Sequence, residues 1–432
     1  MSALDPVKSV QTHEHDLDIR THLRRTLERL AQLPPSVGAP YLTATVNWQA
    51  SGEQPRRRAG QAEFAQAAER LLDGPRGRSE ATATLDAGIE RIERYLADEA
   101  SDDAQSIIFV ACDAKNVFEA IPLGLDLPTT VAVGPTPVLI ELARAMEDHP
   151  TYAVLVADQR EATLAFITQR RERRSLEVRG TDFPARQKQG GWSQRRYQDR
   201  ADERIEHFLT EVAEHVREEL QRRRVSMLVL AADDRTTTGL RDELHQSIQD
   251  RIVGTVALDI RATEQDVVEA TWPIVEQAER EREQQAVQAA RDNAGSGGAG
   301  VVGAEDVLTA LQAGQVLKLV MNDDFHGDGW ADYTMPLYGV GAPPSSHPGG
   351  GDLGKLTAIQ VEAEMVRLAV QSDAEIEIVR SEVPVSAEEQ REIRDVDEPW
   401  PRAEAAKALD EVGGVAAILR FALDADQSTA EL

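Results

Sequence analysis

The chain holds 432 residues, 41% hydrophobic and 28% charged, and its 75 acidic residues outweigh 47 basic ones for a net charge of −28. That length suggests roughly two to four domains, each able to bury a core without disulfide or metal staples. The single cysteine, Cys112, excludes an internal disulfide framework and an all-cysteine zinc site, and it fits a reducing cytosol. No run of 18 apolar residues is present and the opening MSALDPVKSVQTHEHDLD is polar, so a soluble, cytoplasmic chain with no membrane partner is expected.

In chain order, 17–33 repeats its apolar residues at helical spacing, and YLTATVNW at 41–48 alternates as a strand does. Helical patterns follow at 61–73 and 84–98. SIIFVAC at 106–112 reads as a buried strand that pairs with NVFEAIPL at 116–123. TTVAVG and a helix at 136–147 close this first unit, and His149-Pro150 marks a boundary. A second unit opens with strands YAVLVAD (152–158) and ATLAFIT (162–168), joined by a short polar turn, and SLEVRG (175–180) adds a third. A polar loop at 181–194 leads into a long helix over about 195–224. Ile205, Phe208, Leu209, Val212, Val216 and Leu220 make one apolar stripe along it. Strand 226–232, helix 238–250, strand 252–258 and a helix over 264–292, which Pro273 should kink, complete an α/β unit.

DNAGSGGAG at 292–300 reads as a flexible linker. Beyond it come helix 304–314, strand 316–322, strand 374–380, a helix near 402–412 and strand 415–421. A low-complexity insert rich in Gly and Pro, 327–354, interrupts this last unit. The expected fold class is therefore multidomain α/β: a weakly defined α+β domain at 1–149, an α/β domain at 150–292 and an α/β domain at 301–432.

Charge is unevenly spread. Residues 170–200 contain ten bases (Arg170, Arg171, Arg173, Arg174, Arg179, Arg186, Lys188, Arg195, Arg196 and Arg200) against four acids, whereas 301–432 holds 25 acids and nine bases. Most charge runs are solvated surface. This one also holds Gly190-Gly191, Trp192 and Tyr197, and flexible backbone, an aromatic face and guanidiniums together suit unpaired RNA.

Other motifs carry less. GGGDLGK at 349–355 has the spacing of a phosphate-binding loop, but Leu356 stands where magnesium needs Ser or Thr, and no strand precedes it. His13, His15, Asp323, Asp324, Asp328 and Asp332 show no recognised ligand spacing and read as polar loop residues. His207 and His215, eight apart on the long helix, read as surface histidines. Neither a metal nor a cofactor is expected, and no nucleophile–base–orienter set can be assembled from spacing.

The segment from Arg186 to Tyr197 resembles the tip of the archaeal and eukaryotic class-one peptide-release factors and their pelota relatives. Those proteins carry a Gly-Gly-Gln tip and then a long helix that starts with Arg-aromatic. Here Gly190-Gly191-Trp192-Ser193 is followed by Arg196-Tyr197. AEDVLTALQAGQVLKLVM (304–321), AEIEIVR and GGVAAILRF (413–421) are similar to the opening and closing elements of the family's C-terminal domain. The resemblance covers about 150–432 and implies two α/β domains of release-factor and pelota type.

In that family the glutamine helps position water against the peptidyl-tRNA ester. Trp192 occupies its place, and an indole has one N–H donor and no comparable acceptor. The Asn-Ile-Lys-Ser and Cys-containing stop-codon motifs are missing from the first unit, so stop-codon decoding is not implied. The resemblance is greatest to ribosome hibernation factors of the Balon type. It implies a non-enzymatic factor in the A site of idle or stressed ribosomes, with Arg186, Lys188, Gly190, Gly191, Trp192, Ser193, Gln194, Arg195 and Arg196 on ribosomal RNA. The acidic C-terminal domain would meet elongation factor Tu or another translational GTPase. Two alternatives stay open: a peptidyl-tRNA hydrolase that rescues ribosomes through Gln194, and an RNA-binding stress protein acting away from the ribosome.

Overall fold

A computed structural model describes residues 19–48, 56–72, 80–101, 104–147, 151–168, 171–179, 193–223, 225–295, 298–382 and 402–421. By their contacts the residues divide into two compact units, one built on 149–281 and one that joins 23–148 with 282–432. Among the described residues no helix is long and apolar enough to cross a membrane.

The N-terminal part of the second unit runs α1 (Ile19–Ala31), β1 (Tyr41–Asn47), α2 (Arg56–Leu72), α3 (Glu80–Asp98), β2 (Ser106–Cys112), β3 (Val117–Leu123), β4 (Thr130–Gly134) and α4 (Ile140–Glu147). The strands form an antiparallel sheet in the order β3-β2-β1-β4. Alternate residues Leu42, Ala44 and Val46 of β1 and Ile107, Phe109 and Ala111 of β2 share one apolar face. Phe64 and Ala68 of α2 and Ile92 and Leu96 of α3 cover it.

The 149–281 unit contains β5 (Tyr152–Ala157), β6 (Glu161–Thr168), β7 (Arg171–Arg179), α5 (Ser193–Arg223), β8 (Leu228–Ala231), α6 (Asp234–Glu243), α7 (Gln246–Gln249), β9 (Ile252–Val256) and the first half of α8 (Glu264–Gly295). Its sheet runs β7-β6-β5-β8-β9. Strands β5, β8 and β9 are parallel, and β6 and β7 extend the sheet antiparallel. Helices cover both faces, so the central strands are apolar throughout rather than alternating. Ala153, Leu155, Leu228 and Leu230 face α5 and α6, while Tyr152, Val154, Val156, Val229 and Ala231 face α8. The single helix expected over 238–250 is two, because Leu244 leaves helical geometry and the His245 side chain starts α7 by accepting from the Ser247 amide. Pro273 sits inside α8 without ending it.

The expected linker at 292–300 is shorter than its composition suggests. Helix α8 continues through Gly295, and β10 (Gly300–Val302) begins the next sheet. There follow α9 (Ala304–Gln312), β11 (Val316–Asn322), β12 (Asp328–Asp332), β13 (Leu337–Val340), β14 (Thr357–Gln360), α10 (Val361–Gln371), β15 (Glu375–Val379), α11 (Glu404–Asp410) and β16 (Val415–Leu419). The main sheet is β10-β16-β11-β15, parallel only between β11 and β15. Ala286, Val287 and Ala290 of α8 and Ala405, Ala406 and Leu409 of α11 pack with Val320, Val379 and Ala416 of this sheet. Gly413 (φ 93°) and Gly414 (φ 77°) make the tight return from α11 into β16 that a side chain would strain.

The Gly/Pro-rich stretch 327–354 is not a structureless insert. With β14 it builds an antiparallel three-stranded sheet, β13-β12-β14. Its glycines serve close packing: a Cβ on Gly339 would lie 2.4 Å from the Trp330 ring, and one on Gly329 would lie 2.6 Å from the Gly339 carbonyl oxygen. The outer edge of β13 is met by the Gln312 side chain, whose Oε1 accepts from the Tyr338 amide at 3.0 Å and whose Nε2 donates to the Tyr338 carbonyl at 3.3 Å. Asp332, expected as a polar loop residue, ends strand β12 in the interior, where His347 Nε2 lies 3.0 Å from its Oδ2.

Contacts between the described residues tie 23–148 to 282–432 within their shared unit. Arg144 pairs with Asp323 at 3.1 Å, Gln371 donates to the Ala31 carbonyl at 2.7 Å, and Thr136 donates to Glu364 Oε2 at 3.2 Å.

Candidate functional site

The basic segment singled out from sequence joins β7 to α5. Arg186, Lys188, Gly190, Gly191 and Trp192 lie outside the described residues. Ser193, Gln194, Arg195 and Arg196 are the first four residues of α5. Gln194 is therefore held by helical backbone, in the first turn.

Helix α5 is the element that presents this segment. Its 31 residues span roughly 46 Å at about 1.5 Å per residue. Only its later part has an apolar stripe: Phe208, Leu209, Val212, Ala213, Val216 and Leu220 are buried, and Ile205 packs at the margin. The first twelve residues, SQRRYQDRADER, offer only Tyr197 and Ala201 as apolar side chains. Close packing reinforces the anchored half, since a Cβ on Gly239 of α6 would stand 2.7 Å from Leu209.

The C-terminal end of α5 is fixed by charge as well. Arg251 Nη1 donates to the Val225 carbonyl at 2.9 Å and the Leu220 carbonyl at 3.5 Å. Such donors satisfy backbone acceptors around the helix end. Arg223 lies 4.4 Å over the Phe166 ring of β6 and donates to Glu219 at 2.8 Å. Burial alone would raise the Glu219 pKa; hydrogen bonds from Arg222 and Arg223 outweigh it and hold the carboxyl below its ordinary range. The helix is thus a strut, secured over its second half and carrying the basic segment at its start.

A groove of about 280 Å³ runs between α5 and α6, lined by Ile205, Glu206 and Leu209 on one side and Arg235, Asp242 and Glu243 on the other. Asp233 caps α6: the backbone amide of Thr236 donates to it at 2.7 Å and lowers its pKa. His207 lies 3.8 Å from Glu211 on the exposed face of α5.

Part of the acidic charge of the C-terminal region lies inside it. Asp332, Glu362, Glu364 and Glu377 are buried. Glu364 Oε1 accepts from Arg367, and Arg367 donates to the Tyr338 hydroxyl at 3.0 Å. The Tyr333 hydroxyl donates to Glu364 Oε2 at 3.3 Å. Burial pushes the Tyr333 hydroxyl well above the usual tyrosine pKa and raises that of Tyr338. Glu377 accepts from Lys318 and Arg282, both at 3.1 Å. Nothing in the sequence pattern pointed to these pairs, because charged residues on α10 stand where a helix usually presents apolar ones.

Asp323 and Asp324, weighed as metal ligands, are engaged by arginines: Arg144 on the first, Arg402 at 2.6 Å on the second. The hydrogen bond from Arg402 holds Asp324 below the usual carboxylate range. Among the described residues no three His, Cys, Asp or Glu side chains gather as a metal site. The GGGDLGK stretch forms a three-residue 3-10 turn at Leu353–Lys355, capped by Asp352, with neither the strand before it nor the helix after it that a phosphate loop needs.

Residues 137–278 match a family model described as bacterial archaeo-eukaryotic release factor family 10. The match spans the 149–281 unit almost from end to end. The chain is 26% identical over 195 residues to peptide chain release factor subunit 1 of Methanocaldococcus jannaschii. That alignment covers 42% of this chain and 46% of the relative, so the chain spans about half the length of the curated relative it matches. Among solved structures, pelota of Archaeoglobus fulgidus is 16% identical, with 73% of this chain and 79% of that chain covered and a TM-score of 0.30. Dom34 of S. cerevisiae, a translation termination-like factor, is 10% identical, with 74% and 81% covered and a TM-score of 0.38. By residues 137–278 the chain is related to the archaeo-eukaryotic release factors.

Proposed function

We propose that this release-factor relative is a ribosome-binding translation factor of the hibernation type, which occupies the A site of idle or stressed ribosomes without hydrolysing peptidyl-tRNA. One observation carries the reading. In a unit related to release factors, the basic segment that runs straight into α5 has Trp192 where the family's catalytic glutamine stands. An indole stacks well on bases and wedges between them, but it cannot orient water as an amide does. Arg186, Lys188, Arg195 and Arg196 would contact phosphates, with Gly190 and Gly191 giving the backbone room to approach. Exposed acids of the C-terminal region, Glu305 and Asp306 among them, suit a protein partner better than naked RNA. A translational GTPase such as elongation factor Tu is that partner. The factor would act in the cytoplasm.

The test is gradient co-sedimentation of the purified protein with vacant ribosomes at low and moderate salt, beside a Trp192→Ala/Arg195→Ala/Arg196→Ala variant. The wild type should travel with ribosomes, more weakly as salt rises, and the variant should stay at the top of the gradient. Equal binding by both would overturn the role of the segment. A peptidyl-tRNA release assay decides the catalytic question. Release by the wild type that Gln194→Ala abolishes and Trp192→Ala spares would establish the hydrolase instead.

A further inference from the structure

We propose that the groove between α5 and α6 is a docking site for a basic segment of a ribosomal protein, which lays an arginine or lysine side chain along it; this rests on the ribosome-binding reading above. The groove holds about 280 Å³ and lies wholly within the 149–281 unit. Its floor is apolar. Ile205 and Leu209 of α5 meet α6 at Gly239, where a Cβ would come within 2.7 Å of Leu209. Its walls are acidic: Glu206 comes from α5, and Asp242 and Glu243 come from α6. Glu206 and Asp242 are exposed, and neither carboxylate is paired among the described residues. Glu243 accepts from the Thr210 hydroxyl at 2.8 Å, a neutral donor that leaves its charge uncompensated. Arg235, the one basic residue among the described ones lining the groove, stands two turns before Asp242 on α6, roughly 10 Å along the axis. The positions one turn back from Ile205 and Glu206 on α5 are Ala201, Asp202 and Glu203, none of them basic.

An apolar trough between carboxylates matches the two-part chemistry of a long basic side chain. The methylene stem covers the floor while the charged head stays at the wet rim. RNA phosphates would be repelled by the same walls. A metal ion does not fit, since among the described residues no three His, Cys, Asp or Glu side chains gather. A free amine would not stay, because exposed ion pairs are individually weak and screened by salt. A protein segment already fixed to the same ribosome meets the groove at high effective concentration, and weak pairs then suffice. Proteins that sit on RNA carry basic surface to meet its phosphates, so this is the chemistry a ribosome offers beside a bound factor. Thr236 points to a peptide rather than an isolated cation. It lines the groove, is 1% exposed, and its hydroxyl has no hydrogen-bond partner among the described residues. A main-chain carbonyl seated on the floor would accept from it. Ile205 lies twelve residues beyond Ser193, roughly 18 Å along α5 from its start. The basic segment and the acidic groove are thus far enough apart to engage RNA and protein at the same time.

The full-length protein should be compared with Glu206→Lys/Asp242→Lys and with Glu214→Lys/Glu218→Lys, which makes the same change of charge on α5 outside the groove. Affinity for vacant ribosomes is measured at moderate salt, with the melting temperature of each variant. The groove variant should bind at least about tenfold more weakly, because like charges then face each other. The control should bind as the wild type does, or more tightly, since added cations favour a polyanion. The milder Glu206→Gln/Asp242→Asn should weaken binding by about threefold, and it decides the matter if charge reversal lowers the melting temperature. A photoreactive benzoylphenylalanine placed at Gln159, at the margin of the groove, should form an adduct with a ribosomal protein. Unchanged or tighter binding by the groove variants would overturn the docking site while the ribosome reading stands. An equal loss in both lysine variants would report overall charge and overturn it as well. An adduct with ribosomal RNA, or with the basic segment of this chain itself, would overturn the choice of partner. If the wild type does not bind ribosomes, both readings fall.

Discussion

His347 and Asp332 show how much one buried pair can specify. Both side chains are almost wholly enclosed. The Gly349 amide donates to His347 Nδ1 at 3.1 Å, so the ring proton sits on Nε2 and is donated to Asp332. Hydrogen bonds from the Thr334 hydroxyl, the Thr334 amide and His347 hold the Asp332 carboxyl below its ordinary pKa. Because folding lowers this pKa, the stabilisation is complete above the unfolded value of about 3.9 and is lost as pH falls through the lower folded value. Asp332→Asn should therefore melt below the wild type at neutral pH. Thermal melts from pH 7 to pH 2 should show the gap narrowing once pH drops below about 4. A gap that stays constant across the range would mean that the ionised carboxylate contributes nothing there.

At the scale of elements, Gly339 separates two accounts of the 327–354 stretch. In a flexible insert, alanine would be harmless or mildly stabilising. In the packed sheet its methyl would press on the rigid Trp330 ring, and such overpacking costs about 1–3 kcal/mol. Denaturant titration of Gly339→Ala should show that loss. Composition concealed this sheet because its strands have only four or five residues and their glycines read as spacers. Helix α10 was missed for a related reason. Eight of its eleven residues are buried, Glu362, Glu364 and Arg367 among them, so no amphipathic stripe was visible. Where the ordinary rules held, the sequence was readable. Strands β1, β2, β5, β6, β11 and β16 and the buried stripe of α5 lie within a few residues of where periodicity put them. The start of α5 at Ser193 agrees with the helix expected from about 195, while the basic loop before it lies outside the described residues.

Across the whole molecule, the first segment of the chain shares a unit with the last, although the 149–281 unit separates them in sequence. Thr136 reaches Glu364, and Glu364 is in turn held by Arg367 and Tyr333. Glu364→Gln would leave the enclosed Arg367 guanidinium without its counter-charge, and breaking such a buried pair from one side costs about 3–5 kcal/mol. Calorimetry should resolve two unfolding transitions, and this substitution should lower only one of them. A uniform shift of both would mean that the two units unfold as one.

The side chain of Gln312 has a consequence for life in a crowded solution. By matching the donor and acceptor of Tyr338 it acts as a one-residue stand-in for a neighbouring strand. A bare edge would offer those groups to another copy of the chain, the first step toward fibrous association. A single amide from a helix therefore acts as a stopper on β13, and it ends the sheet where a second copy of the chain would otherwise add a strand.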